Sequence, residues 1–227
     1  MAGRKLRILC LHGWRTSNKV LQVQMVGLQQ ALGGKDGVEF VSLNAPHRAS
    51  GPAHAEVELF FGKNGPYYEW WDHVETPATE TTPKRSDYVG LPRSLDFLLG
   101  QVDALGPFDA VLGFSQGTAM TTILTAHYLS HGTPPPYKAV LLFCGLLARD
   151  GMPEALRSGS SYHLDIPSIH VLGETDAIFS WSKKLVGAYE SSSRTMFVHP
   201  DGHKFPTLPQ AKPMYNEIAA KLREICG

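Results

Sequence analysis

Short apolar runs alternate with helical stripes along most of this chain. Leu6 to Leu11 is an almost unbroken apolar run that predicts a strand and leads straight into His12-Gly13-Trp14. Leu21, Met25, Leu28 and Leu32 then recur at helical spacing and mark one buried face. Val38 to Leu43 predicts a second strand. Leu91, Leu95, Leu98, Val102 and Leu105 form another stripe, ended by Gly106-Pro107. Phe108 to Phe114 predicts a strand that stops sharply at Ser115, followed by a helix from Gln116 to about Leu129. Lys138 to Cys144, Ser168 to Gly173 and Thr195 to Val198 predict three more strands, and Met214, Ile218, Leu222 and Ile225 a closing helix. This alternation predicts an α/β fold with a mostly parallel central sheet and helices on both faces.

One stretch breaks the rhythm. Residues 46–90 show neither period, and they hold Tyr67, Trp70 and Trp71 before a Thr/Pro-rich run from Thr76 to Pro83. A loop of this length inside one domain is usually functional or disordered. The expectation is one domain over residues 1–227, with 46–90 inserted as a lid or pocket wall. Tyr67, Trp70 and Trp71 are the candidates to line an acyl pocket, against the plainer alternative that they pack in the core.

Composition narrows the function classes. Of 227 residues, 43% are hydrophobic, and 21 basic side chains balance 21 acidic ones. Zero formal charge removes the electrostatic reason to expect nucleic acid or an anionic membrane as partner. No apolar run approaches the roughly 18 residues of a membrane span. Nor does Ile8 to Leu11 make a signal-peptide core, and Cys10, Cys144 and Cys226 are an odd, widely spaced set. Together these predict free thiols and a cytoplasmic protein.

The chemistry gathers at Gly113-Phe114-Ser115-Gln116-Gly117, a G-x-S-x-G match. The motif is short, but its serine stands where a predicted strand ends and a helix begins, which is what a nucleophile elbow needs. A serine hydroxyl requires a base, and the base an orienting acid, in the chain order Ser, acid, His on this kind of fold. Four histidines lie downstream: His163, His170, His199 and His203. His203, well into the loop after the last strand, is favoured over His199, which abuts Pro200. Asp176 follows its strand at the end where catalytic groups should cluster, whereas Asp165 precedes the same strand. Asp150 is the reserve, Glu174 a lesser candidate, and Asp201 is too near His203 in sequence.

An oxyanion hole needs two backbone N–H groups. Gln116, next to the nucleophile and opening a helix, is one candidate, and Trp14, after the first strand, is the other. No H-E-x-x-H, C-x-x-C, Walker or G-x-G-x-x-G pattern occurs, so the expectation is no metal site, and nothing argues for a nucleotide.

Several blocks in order carry a resemblance: Ile8-Leu9-Cys10-Leu11-His12-Gly13, Ala45-Pro46-His47, Trp70-Trp71, the serine motif, Ile169 to Asp176, and His199 to His203. With these the chain resembles, over nearly its full length, the small serine hydrolases that include the ovarian-tumour-suppressor-candidate esterase and its fungal relatives. The resemblance implies an α/β-hydrolase fold. It also implies Ser115, Asp176 and His203 as a triad, and cofactor-free carboxylesterase or thioesterase chemistry on a small acyl ester or thioester. Two rival readings use the same residues: an acyl thioesterase, and a non-catalytic hydrolase scaffold serving as a receptor.

Overall fold

The alternating runs become a six-stranded sheet in which every neighbouring pair is parallel. The computed structural model describes residues 4–79, 85–148 and 163–227. β1 (Leu6–Leu11) is followed by α1 (Asn18–Gln24), α2 (Val26–Ala31), α3 (Gly34–Gly37) and β2 (Val38–Leu43). Next come β3 (His47–Arg48), α4 (Ala55–Phe61), β4 (Tyr68–Glu69), β5 (Asp72–Thr76) and β6 (Arg85–Val89). The chain then runs through α5 (Leu91–Leu105), β7 (Ala110–Phe114), α6 (Gln116–Ser130), β8 (Ala139–Phe143) and β9 (Ser168–Gly173). It finishes with α7 (Phe179–Gly187), β10 (Arg194–His199) and α8 (Lys212–Cys226).

The period-2 alternation of the strands divides the core into two layers. Leu9, Leu11, Val111, Val140 and Leu142 face α5, α6 and α7, meeting Leu98, Val102, Met120, Ile123 and Leu185. Ile8, Cys10, Leu112, Leu141 and Val171 face the other way, against Leu21, Met25 and Leu28 and against Ile218 and Leu222 of α8. α6 is buried along most of its length, so it has no polar face to solvate. Its threonines turn inward instead: Thr121 and Thr125 donate to the carbonyls one turn back, at 2.9 and 2.8 Å, and Thr122 and Thr125 meet the Tyr189 and Tyr137 hydroxyls, both at 2.9 Å. All three cysteines are buried and free.

Some boundaries differ from the periodic reading. The stripe from Leu21 to Leu32 is two helices meeting at Met25, whose ψ of 2° bends the chain while the hydrogen bonds into and out of Met25 continue. β8 stops at Phe143 because Cys144 takes φ +47°. Residues 46–90 lack a period because they hold short antiparallel pairs, β3 with β4 and β5 with β6, around a seven-residue helix.

In the sheet order β2-β1-β7-β8-β9-β10, the chain leaves β2 at one edge and returns as β7 on the far side of β1. The loops after β1 and β7 therefore diverge at a topological switch point, the crevice where open α/β sheets bind ligands. No helix among the described residues is long and apolar enough to cross a membrane.

Candidate active site

Ser115 stands at φ 52°, ψ −119° between β7 and α6, in a region that a non-glycine residue occupies at a cost of about 1–3 kcal/mol. Three contacts hold it there. Its N–H donates to Phe143 O at 3.0 Å, and its carbonyl accepts from Thr118 N at 2.9 Å and Thr118 Oγ1 at 2.6 Å. The flanking glycines are required by close approach: a Cβ on Gly113 would lie 2.5 Å from Gly117 O, and one on Gly117 would run into Leu11 O of the neighbouring strand. The strand–turn–helix elbow thus depends on three elements touching through backbone alone.

His203 reaches Ser115 from the loop after β10. Its Nδ1–H donates to Asp176 Oδ2 at 2.7 Å, which leaves Nε2 to accept from the Ser115 hydroxyl at 2.9 Å. The Asp176 side chain is 1% exposed, and its other oxygen accepts the Ile178 N–H at 2.9 Å. The imidazole is packed on Phe114, which stacks in turn on Phe205. An arrangement of this kind can take a proton from the hydroxyl at Nε2 while the carboxylate holds the Nδ1–H tautomer.

The loop after β1 closes the site from the other side of β7. Gly13 borders the nucleophile, since a Cβ there would lie 3.3 Å from Ser115 Cβ, and Trp14 follows it. Gln116 opens α6. Two backbone segments thus meet beside the Ser115 side chain.

A family model described as Serine hydrolase (FSH1) matches residues 1–215. The chain belongs to the FSH1 serine hydrolase family. Among its relatives, Esterase OVCA2 of Homo sapiens is 29% identical over 232 residues, spanning 98% of this chain and 99% of that protein. Esterase FPY3 of Fusarium mangiferae is 29% identical over 216 residues and 90% of each chain. The fold is that of α/β-hydrolases. Esterase PE8 superposes with a TM-score of 0.61 at 21% identity, covering 98% of this chain and 94% of that one. Zea mays acyl-protein thioesterase 2 does so at 0.58 and 21% identity, covering 96% and 94%.

This FSH1-family serine hydrolase leaves the other candidate histidines and acids away from Ser115. His199, 2% exposed at the end of β10, has no hydrogen-bond partner at either ring nitrogen among the described residues, and burial lowers its pKa. His170 lies inside β9, with Nε2 3.1 Å from Ser168 Oγ and its ring edge-on to Tyr189. His163 and Asp165 are exposed ahead of β9. Glu174 is exposed, Asp201 accepts from Thr207 N at 3.4 Å, and Asp150 lies outside the described residues.

The three aromatic candidates separate. Trp70 and Trp71 are buried in the core layer of α5 and α6, Trp70 against His12 and Trp71 stacked on Tyr88 at 5.0 Å. Tyr67 packs in a smaller cluster with Val20 and Ala53. What the pattern of apolar positions did not signal is how tightly this segment is tied to the site. Gln116 accepts from Trp70 N at 3.0 Å and donates to Trp71 O at 2.9 Å, and the Trp70 indole donates to His12 O at 2.9 Å. Ser94 of α5 completes the junction by donating to Trp70 O. His12 takes part as a neutral ring, since burial lowers its pKa to about 4, and its Nε2 accepts the Ala45 N–H at 3.1 Å.

Among the described residues one cluster has metal-ligand character, namely Cys144, Asp176 and His203, with ligand atoms within 4.8 Å of one another. Burial pushes the Cys144 thiol up to about 12, and its S–H donates to Lys204 O at 3.3 Å. Asp176 and His203 are already hydrogen-bonded to each other, and His203 to Ser115.

Proposed function

We propose that this serine hydrolase is a carboxylesterase that cleaves aliphatic acyl esters through an acyl-enzyme. Ser115 attacks the acyl carbonyl as His203 Nε2 takes its proton. His203 then hands that proton to the leaving alkoxide, with Asp176 stabilising the imidazolium. Water repeats the cycle on the acyl-enzyme. Backbone N–H groups of Trp14 and Gln116 hold the tetrahedral oxyanion, aided by the positive end of α6. No cofactor enters this scheme. In this reading residues 1–227 act as one domain, and 46–90 form a fixed wall beside the acyl chain, with Tyr67, Trp70 and Trp71 behind it.

The observation that carries the reading is the unbroken hydrogen-bonded line from Ser115 Oγ through His203 to Asp176, at 2.9 and 2.7 Å. The esterase names of the FSH1-family relatives support the same bond type. A second reading, an acyl thioesterase on the same triad, draws on the likeness to the maize acyl-protein thioesterase.

The test is hydrolysis of p-nitrophenyl esters from acetate to palmitate beside acyl thioesters, for wild type and Ser115→Ala. Expected is turnover that depends on chain length and falls by several orders of magnitude in the variant. Activity confined to thioesters selects the second reading. Turnover surviving in a folded Ser115→Ala sinks the nucleophile assignment.

A further inference from the structure

The turn that carries Trp14 is held from residues 46–90. Arg15, the next residue, has φ +51°, the left-handed region that non-glycine residues rarely adopt. Its guanidinium lies 4.0 Å over the Trp14 ring. From there Nε donates to Glu69 Oε2 at 3.2 Å and Nη2 to Ser50 Oγ at 2.7 Å, with Asp72 Oδ1 3.8 Å from Nη2. The Glu69 side chain is 2% exposed, and its second oxygen accepts the Ser50 N–H at 3.0 Å. One residue beyond, Thr16 and Tyr68 exchange both backbone hydrogen bonds, at 3.2 and 2.7 Å.

Two features on one short turn ask for a common reason. A carboxylate taken out of water is costly, and a buried ion pair often adds no stability over apolar residues of the same volume. A left-handed arginine is strained as well. Both meet at Arg15, one residue after Trp14, whose preceding glycine borders Ser115, since a Cβ there would lie 3.3 Å from Ser115 Cβ.

We propose that Glu69 and Arg15 are positioning residues for the oxyanion hole: their buried ion pair holds the strained turn that aims the Trp14 N–H. Neither side chain touches substrate in this scheme. The inference rests on the esterase reading above and adds to it the part played by residues 46–90, which anchor one of the two oxyanion donors. Loosening the anchor leaves substrate binding alone and weakens the interaction made in the transition state.

The test uses p-nitrophenyl butyrate and an alkyl trifluoromethyl ketone, whose adduct oxygen occupies the oxyanion position. The variants are Glu69→Gln, Arg15→Gly and the pair combined. Arg15→Gly is chosen because glycine adopts this φ without strain, so it removes the anchor without asking the turn to misfold. Each single variant should lower kcat by about 10- to 100-fold, with KM within about twofold. The ketone Ki should rise by the factor that kcat falls. The double variant should be no slower than the worse single one, because both changes break one interaction. Wild-type kcat and Ki in Arg15→Gly, a lowered Tm with kinetics intact, or additive losses would each overturn the proposal. Ser115→Ala runs in parallel: its retention of activity removes the esterase reading and this inference with it. Loss there, together with wild-type rates in Glu69→Gln and Arg15→Gly, removes the positioning role alone.

Discussion

Gly173, the last residue of β9, shows how far a single atom reaches in this site. The loop carrying His203 crosses directly over it, so that a Cβ there would lie 2.6 Å from Asp201 O and closer still to Gly202 O. The requirement is close approach, since Gly173 is not among the residues with positive φ. Gly173→Ala should lift the loop and lengthen the bond from His203 to Ser115. On the proposed assignment kcat falls about 100-fold, the size of effect a displacement near 1 Å produces. Steady-state kinetics with a circular-dichroism check of folding measures it, and wild-type kcat would show that the loop shifts sideways freely. The serine motif and the Asp176 and His203 positions were readable as residue types in an order that this chemistry demands. Gly173 was read only as the end of a strand, because a period of two reports which face a side chain takes and says nothing of the backbone crossing above it.

At the scale of elements, the inserted segment is tied to the core through Trp70 and Trp71. Trp71 is 2% exposed and stacked on Tyr88, and Trp70 is joined to the elbow through Gln116 and to the β1 loop through His12. Replacing Trp71 by Ala should therefore remove about 3–5 kcal/mol of stability, read from urea unfolding. KM for acetate and for long-chain esters should change by the same factor. A rise in KM confined to long chains would instead put the ring against the substrate. Hydrophobic periodicity predicted the strands and long helices because each presents one continuous face to a layer of the core. It passed over β3 to β6 because β3 and β4 are only two residues long and β5 is exposed along most of its length, so these pairs show no continuous buried face. The single stripe from Leu21 to Leu32 survived as one buried face even though the backbone bends at Met25.

At the scale of the whole molecule, three buried histidines contribute to the response to acid. Burial lowers the pKa of His12 to about 4 and of His170 to about 3, and lowers that of His199 as well. Unfolded, each would titrate near 6.5, so below that pH the unfolded chain binds protons that the folded chain refuses. On account of these histidines, stability falls as the pH drops from about 6.5 toward 4. Each such histidine contributes a slope of up to about 1.4 kcal/mol per pH unit. Urea unfolding between pH 7 and 4.5 should show this loss, and His170→Gln should reduce the slope by about one proton's worth. An unchanged slope in that variant would mean that His170 already titrates normally in the fold. The chain by itself determined the parallel sheet, the two-layered core, the elbow and the family, because these follow from local periodicity and from residue types in a set order. Only the tertiary structure decided that Glu69 meets Arg15, that Gln116 ties down Trp70 and Trp71, and that His203 alone of the downstream histidines bonds Ser115. Those pairings join residues from separate elements, and their partners are chosen by how the elements dock, which no local pattern of apolar and polar positions encodes.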